Sequence, residues 1–233
     1  PFLIALRIPM QRLIFILLFG VLGTSILLGL GIWQVQRLHW KDGMIAAIES
    51  RIGAAPVPVP ETPDPEDDRY LPVTAQGEIL GGEIHVFIPV EGGAAYRVIA
   101  PFQMEDGRTV LLDRGSVPVS AKTAERPVGP MTVTGNLNWP NEADGYTPDP
   151  DLAGNIWYAR DVPAMAQALG TEPVLIVASS PTAPGITPDP VDTGGIPNDH
   201  LEYAITWFSL AFIWVAMTGF FLWQTRARKA FKG

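Results

Sequence analysis

Hydrophobic positions along the chain fall into three regimes. From Leu13 to Gln36 the sequence reads LIFILLFGVLGTSILLGLGIWQVQ, 24 residues without a formal charge. As a helix this run would extend roughly 36 Å, enough for a hydrocarbon core of about 30 Å. Tyr203–Trp223 is a second uncharged run, of 21 residues. A cleaved signal peptide would have a shorter apolar region and a small-residue cleavage site. The first run instead ends in Trp33 and Gln34, which favours an uncleaved anchor.

Between the runs the periodicity changes twice. Leu38, Met44, Ile45, Ile48 and Ile52 recur at spacings near three and four, which predicts a helical extension over 37–53 that Gly53 stops. The proline-rich, acidic segment 54–69 reads as a stiff extended linker. Residues 70–180 then alternate as strands. In EIHVFIPV, Ile84, Val86, Ile88 and Val90 share one face, while Glu83, His85 and Phe87 share the polar, solvent-facing one. AYRVIAPFQM and RTVLLDRG flank the turn signal EDG and predict a hairpin. MTVTGNLNW, IWYA and PVLIVAS are further strand candidates. Asp161 as N-cap, Pro163 in the first turn and Gly170 past the end mark one short helix. A Pro/Gly-rich linker over 181–199 leads to the second span, 200–223, and a basic tail, 224–233. The expected fold class is a membrane protein: two transmembrane α-helices bracketing a mostly antiparallel β (α+β) extracytoplasmic domain.

Charge orients this arrangement. All 24 acidic residues lie between Asp42 and Glu202, against ten basic ones from Arg37 to Arg160. Outside that interval stand Arg7, Arg12, Arg226, Arg228, Lys229 and Lys232, with no acid. The positive-inside tendency places both termini in the cytoplasm or a mitochondrial matrix and the middle outside. Without an Arg/Ser-rich presequence before the first span, a bacterial inner membrane is the expected location, with the mitochondrial inner membrane as the alternative. The acidic middle repels phosphate backbones, so no nucleic acid is expected. With no cysteine, disulfides, thiolate metal sites and cysteine nucleophiles are excluded. Gly-x-Ser-x-Gly, His-Glu-x-x-His and a glycine-rich phosphate loop are absent, and RGSVP around Ser116 reads as a loop. DPEDD at Asp64–Asp68 lacks the glycine and terminal glutamate of a calcium loop.

Trp33, Trp40, Trp207 and Trp223 suit interfacial belts. Trp214 lies too deep for the outer belt and is expected to pack on the first span, where Gly20, Thr24 and Gly31 form a small-residue stripe. His39 and His200 stand at the same outer boundary. On a helix, His200, Tyr203, Trp207, Leu210 and Trp214 share a face. A histidine capping such a stripe suits the iron and the rim of a flat apolar macrocycle, and the stripe equally suits ordinary helix packing. Arg37 and Lys41, beside Trp33 and Trp40, would pair with anionic propionates or snorkel to headgroups.

These residues resemble the surfeit locus protein 1 family, assembly factors for haem-copper cytochrome c oxidase. LGIWQVQRLHWK (Leu30–Lys41) resembles the family's exit from its first span, and YRVIAPFQMEDGRTVLLDRGSVP (Tyr96–Pro118) its central hairpin. VTGNL (Val133–Leu137) and PNDHLEYAITWFSLA (Pro197–Ala211) are similar to a later β segment and the second-span entry. The family's Arg-Gly-Trp is Arg114-Gly115-Ser116 here, and Asp199 replaces a common second asparagine; His200 is retained. The resemblance implies a non-enzymatic chaperone that binds haem a transiently and assists its insertion into oxidase subunit I. The resemblance implies a metal-ligand role for His200 alone; Tyr203, Trp207, Trp33, Arg37 and Lys41 are the residues that spacing and interface position would set around the cofactor. His39 is a second conceivable axial ligand. Partners on this reading are subunit I, the lipid bilayer and a haem a synthesis enzyme. The alternative is a structural scaffold that stabilises an oxidase or an assembly intermediate without haem.

Overall fold

The uncharged runs become the long helices α1 (Met10–Ile52) and α3 (His200–Ala230), both long and apolar enough to cross a bilayer. The computed structural model describes residues 10–230; Arg7 and Lys232 lie outside the described residues, as do the side chains of Arg12, Arg226, Arg228 and Lys229. The protein is a two-helix membrane protein with an α+β domain. It divides into two compact units, Pro1–Ala46 with Gly194–Gly233, and Ala47–Thr193.

In the first unit the helices meet along small residues. A Cβ built on Gly31 would lie 2.7 Å from Phe208, and Cβ atoms on Gly20 and Gly23 would collide with Thr218 and Trp214. Trp214 therefore packs on the first span as expected, through Gly23. Thr24 turns back on its own helix, its hydroxyl donating to Gly20 O at 2.8 Å. Without water to drive apolar surfaces together, close backbone approach of this kind supplies the packing.

The second unit is a seven-stranded mixed sheet, ordered β1-β2-β6-β7-β5-β4-β3. Its strands are β1 (Val57–Pro58), β2 (Pro72–Ile79), β3 (Ile84–Val90), β4 (Gly93–Met104), β5 (Thr109–Pro118), β6 (Gly129–Leu137) and β7 (Leu175–Ala178). Only β1–β2 and β5–β7 pair in parallel. A further β2–β4 pairing, Gly77–Ile79 against Met104–Phe102, joins the sheet to itself, so that β2, β6, β7, β5 and β4 form a closed ring. Closure removes hydrogen-bonding edges from the ring strands. Its interior is apolar, including Val73, Phe102, Val110, Leu112, Leu137 and Ile176. The short helix α2 (Val162–Leu169) covers a second cluster with Ile84, Ile99, Leu111 and Leu175. It is capped as its sequence predicts: Asp161 accepts from Ala164 N, and left-handed Gly170 donates to Ala166 O.

Five local expectations are corrected. His85 is not solvent-facing but 6% exposed, because Glu83, Asn155 and the Tyr96 ring crowd its imidazole and Arg126 pairs with Glu83 beside it. On the nominally inward face, Val90 at the end of β3 is exposed. IWYA forms no strand of its own; Trp157 makes a single parallel bridge to Val86. Arg114-Gly115-Ser116 is not a loop but part of β5, where the β4–β5 register shifts from Val98↔Gly115 to Ile99↔Asp113 and Arg114 is the extra residue of a bulge. Gly115 has φ 109, and a Cβ there would overlap Thr187 O, so both conformation and space require glycine. The segment read as linker also contributes β1.

Candidate functional site

At the start of α3 the His200 imidazole meets α1. His200 Nδ1 lies 2.8 Å from Gln34 Oε1, and Gln34 is 8% exposed despite its polarity. An amide oxygen accepts, so Nδ1 carries the proton and the Nε2 lone pair is left over. Nε2 has no partner among the described residues. Asn198 Nδ2 donates to Asp42 Oδ1 at 2.8 Å, tying the approach to α3 onto α1 just before the histidine. Tyr203 N, bonded to Asp199 O, closes the first turn.

The structure splits the stripe predicted on α3. His200, Ala204, Trp207, Ala211, Trp214 and Thr218 form the more buried side, with Ala204 and Ala211 each at 2% exposure. Tyr203, 55% exposed, and Leu210 lie outside it and are not brought onto the α1-facing side with His200. The reason is angular: positions 203 and 204 are both near one turn from 200 but about 100° apart, and the small residue faces the neighbouring helix. Trp207 stays with His200, two turns deeper. Its Nε1–H is buried and has no acceptor among the described residues.

On α1, Lys41 is half-buried and lies one heptad beyond Gln34, on nearly the same side. Arg37 stacks on Trp40, its guanidinium carbon 3.9 Å from the ring centroid, an exposed cation–π contact worth about 0.5–1 kcal/mol. Trp33 is exposed. His39 is also exposed, about 140° around the helix from Gln34, and does not share its face. The residues fit a metal macrocycle through one neutral nitrogen donor, an unmatched indole donor beneath it and two cationic side chains on the same stretch of helix. Sequence spacing missed Gln34, because no period within α1 tells which polar residue meets α3.

The β domain holds two polar clusters that spacing also missed. Fully buried Asp113 accepts from Arg97 Nη1 at 2.7 Å and Arg160 Nη1 at 3.3 Å, and its other oxygen from Gly115 N at 3.0 Å. Arg97 continues to Asp189 and Arg160 to Glu142. Burial would raise the Glu142 pKa, yet the hydrogen bonds and charge of Arg160 hold it below its ordinary value. In the second cluster, His85 Nε2 contacts Glu83 at 2.9 Å, Asn155 faces Nδ1 at 3.2 Å, and Arg126 pairs with Glu83. Burial raises Glu83, but the His85 hydrogen bond and Arg126 outweigh it. Buried Arg114, its pKa lowered first by desolvation, donates to Pro127 O and Thr182 Oγ1. These pairings consume the charged side chains in holding the barrel; no cluster of three or more metal-binding His, Asp or Glu side chains occurs among the described residues.

The SURF1 family model matches residues 21–212. Surfeit locus protein 1 of Homo sapiens is 34% identical over 209 residues, covering 78% of this chain and 69% of that protein. The Rattus norvegicus protein of the same name is 32% identical, covering 78% and 67%. A SURF1-like protein of Drosophila melanogaster is 31% identical, covering 80% and 72%. The chain belongs to the SURF1 family, known as cytochrome c oxidase assembly factors rather than catalysts.

Proposed function

We propose that this assembly factor binds haem a at the outer end of its helix pair and assists its insertion into oxidase subunit I. The observation that carries the reading is His200: its Nδ1 is engaged by Gln34, and its Nε2 remains available. Haem a, when bound, supplies an iron that takes imidazole nitrogen and an apolar macrocycle that belongs in lipid. Trp207 offers a donor and apolar surface on the same helix side, while Lys41 and Arg37 supply positive charge for propionates. Tyr203 and Trp33, both exposed, would contact the macrocycle only from the lipid-facing margin. A single imidazole makes a bond that a recipient's own histidines can replace, which suits delivery better than storage.

Charge supports a membrane orientation. Basic flanks on both spans support termini in the cytoplasm of a bacterium and a periplasmic β domain, or their mitochondrial equivalents. Subunit I is the recipient and the bilayer the working solvent; a haem a synthesis enzyme is the donor this route requires.

The test is a redox difference spectrum of the full chain purified from cells making haem a. Native protein should carry the pigment, and His200→Ala should lose most of it while still reaching the membrane. Protein free of haem under these conditions would establish the scaffold role instead.

A further inference from the structure

Resting on His200 as the haem ligand, we infer that Gln34 is a positioning residue that sets the tautomer of that histidine and the strength of the iron bond it makes. A polar side chain inside an apolar helix pair is costly unless it is hydrogen-bonded. Gln34 is buried, comes from the other helix, and directs its Oε1 at His200 Nδ1. Nδ1 must then donate, and the metal-binding lone pair resides on Nε2.

The acceptor's chemistry also matters. Histidine ligands usually donate their second ring N–H to a carboxylate, a carbonyl or water, and the acceptor tunes ligand basicity. A carboxylate draws the proton strongly, gives the imidazole anionic character and tightens its metal bond. A neutral amide does so weakly. Gln34 therefore holds the ring in one orientation while keeping Nε2 an ordinary neutral donor, the combination a release site needs. Ala204 at the buried side of the next turn lets α1 approach closely enough for this contact.

The test compares Gln34→Glu, Gln34→Leu and Gln34→Asn in the full chain, held in lipid nanodiscs and loaded with haem a. Resonance Raman of the ferrous form reads the iron–histidine stretch, and a redox titration reads the midpoint potential. Gln34→Glu should raise the stretch and lower the potential. Gln34→Leu should lower the stretch and weaken haem affinity by roughly 10–100-fold. Gln34→Asn, one methylene shorter, should fall between native and Gln34→Leu. Near-isosteric Gln34→Glu keeps the test independent of folding damage. If the stretch and potential of Gln34→Glu match native protein, or Gln34→Leu loses affinity without a vibrational shift, the inference is overturned and Gln34 is a packing residue. Haem retained unchanged in His200→Ala would instead overturn the ligand assignment itself.

Discussion

The β barrel and the helix pair solve packing in opposite ways. Inside the barrel, bulky side chains such as Phe102, Val110, Leu112 and Leu137 are wholly buried, and charged groups are paired on the other face of the same strands. Between the helices the buried positions are Gly20, Gly31, Ala204 and Ala211, with Phe208 and Trp214 laid against the glycines of α1, while most leucines point outward. Water explains the contrast. The barrel gains by removing apolar surface from water. The helix pair gains nothing that way, since lipid is as apolar as leucine, so it associates through close backbone contact and a few polar bonds. A polar pair in such a seam stands out chemically, and His200–Gln34 is one.

The largest expected break is in the barrel. Asp113→Ala leaves Arg97 and Arg160, both largely buried, without their shared carboxylate. Removing one partner of a buried ion network costs about 3–5 kcal/mol. Urea unfolding of the full chain in micelles, followed by the signal of the β domain, should register that loss. A change below about 1 kcal/mol, the range of exposed pairs, would mean the network is solvated.

A smaller effect, about 1–3 kcal/mol, is expected in the helix seam from Gly23→Leu, which drives a side chain into Trp214. The chain has no cysteine, so Gly20→Cys with Thr218→Cys makes a clean reporter. A Cβ on Gly20 lies 3.2 Å from Thr218 Cβ, close to disulfide range. Cross-linking should be efficient in the native background and fall when Gly23→Leu is added, with β-domain unfolding unchanged. Unaltered cross-linking would show that the glycines are not the seam.

The smallest effect is a pH dependence confined to the β domain. Glu83 and Glu142 are held below their ordinary value of 4.5 in the folded state. Their contribution is full above the unfolded value and is lost as pH falls through the lower folded one. Stability should be level down to about pH 5 and decline below it. Glu142→Gln should flatten that decline; an unchanged acid limb would assign it to other carboxylates.

How much of this was legible in advance depended on whether a feature is local. Uncharged length announces a span, and Asp161, Pro163 and Gly170 announce a helix because each acts on its own backbone. The EDG hairpin is equally local, with Gly107 at φ 88. The burial of His85 escapes such a reading because alternation along β3 cannot foresee Asn155, seventy residues on, meeting its ring. The Arg114 bulge escaped because an extra residue in a strand has no mark beyond the glycine after it. Tyr203 and Leu210 were grouped with His200 because two adjacent helical stripes are both apolar, and lipid tolerates either outside.

The sequence by itself determined the two membrane helices, the acidic middle between them, the cysteine-free chemistry and the histidine at the second span's entrance. Those properties reside in composition and in short-range periodicity. Tertiary structure alone decided that the sheet closes on itself, that Asp113 gathers two arginines and that Gln34 is the residue His200 meets. Each of those depends on contacts between positions far apart in the chain, where the free energy of burial and pairing selects partners that no spacing within one element encodes.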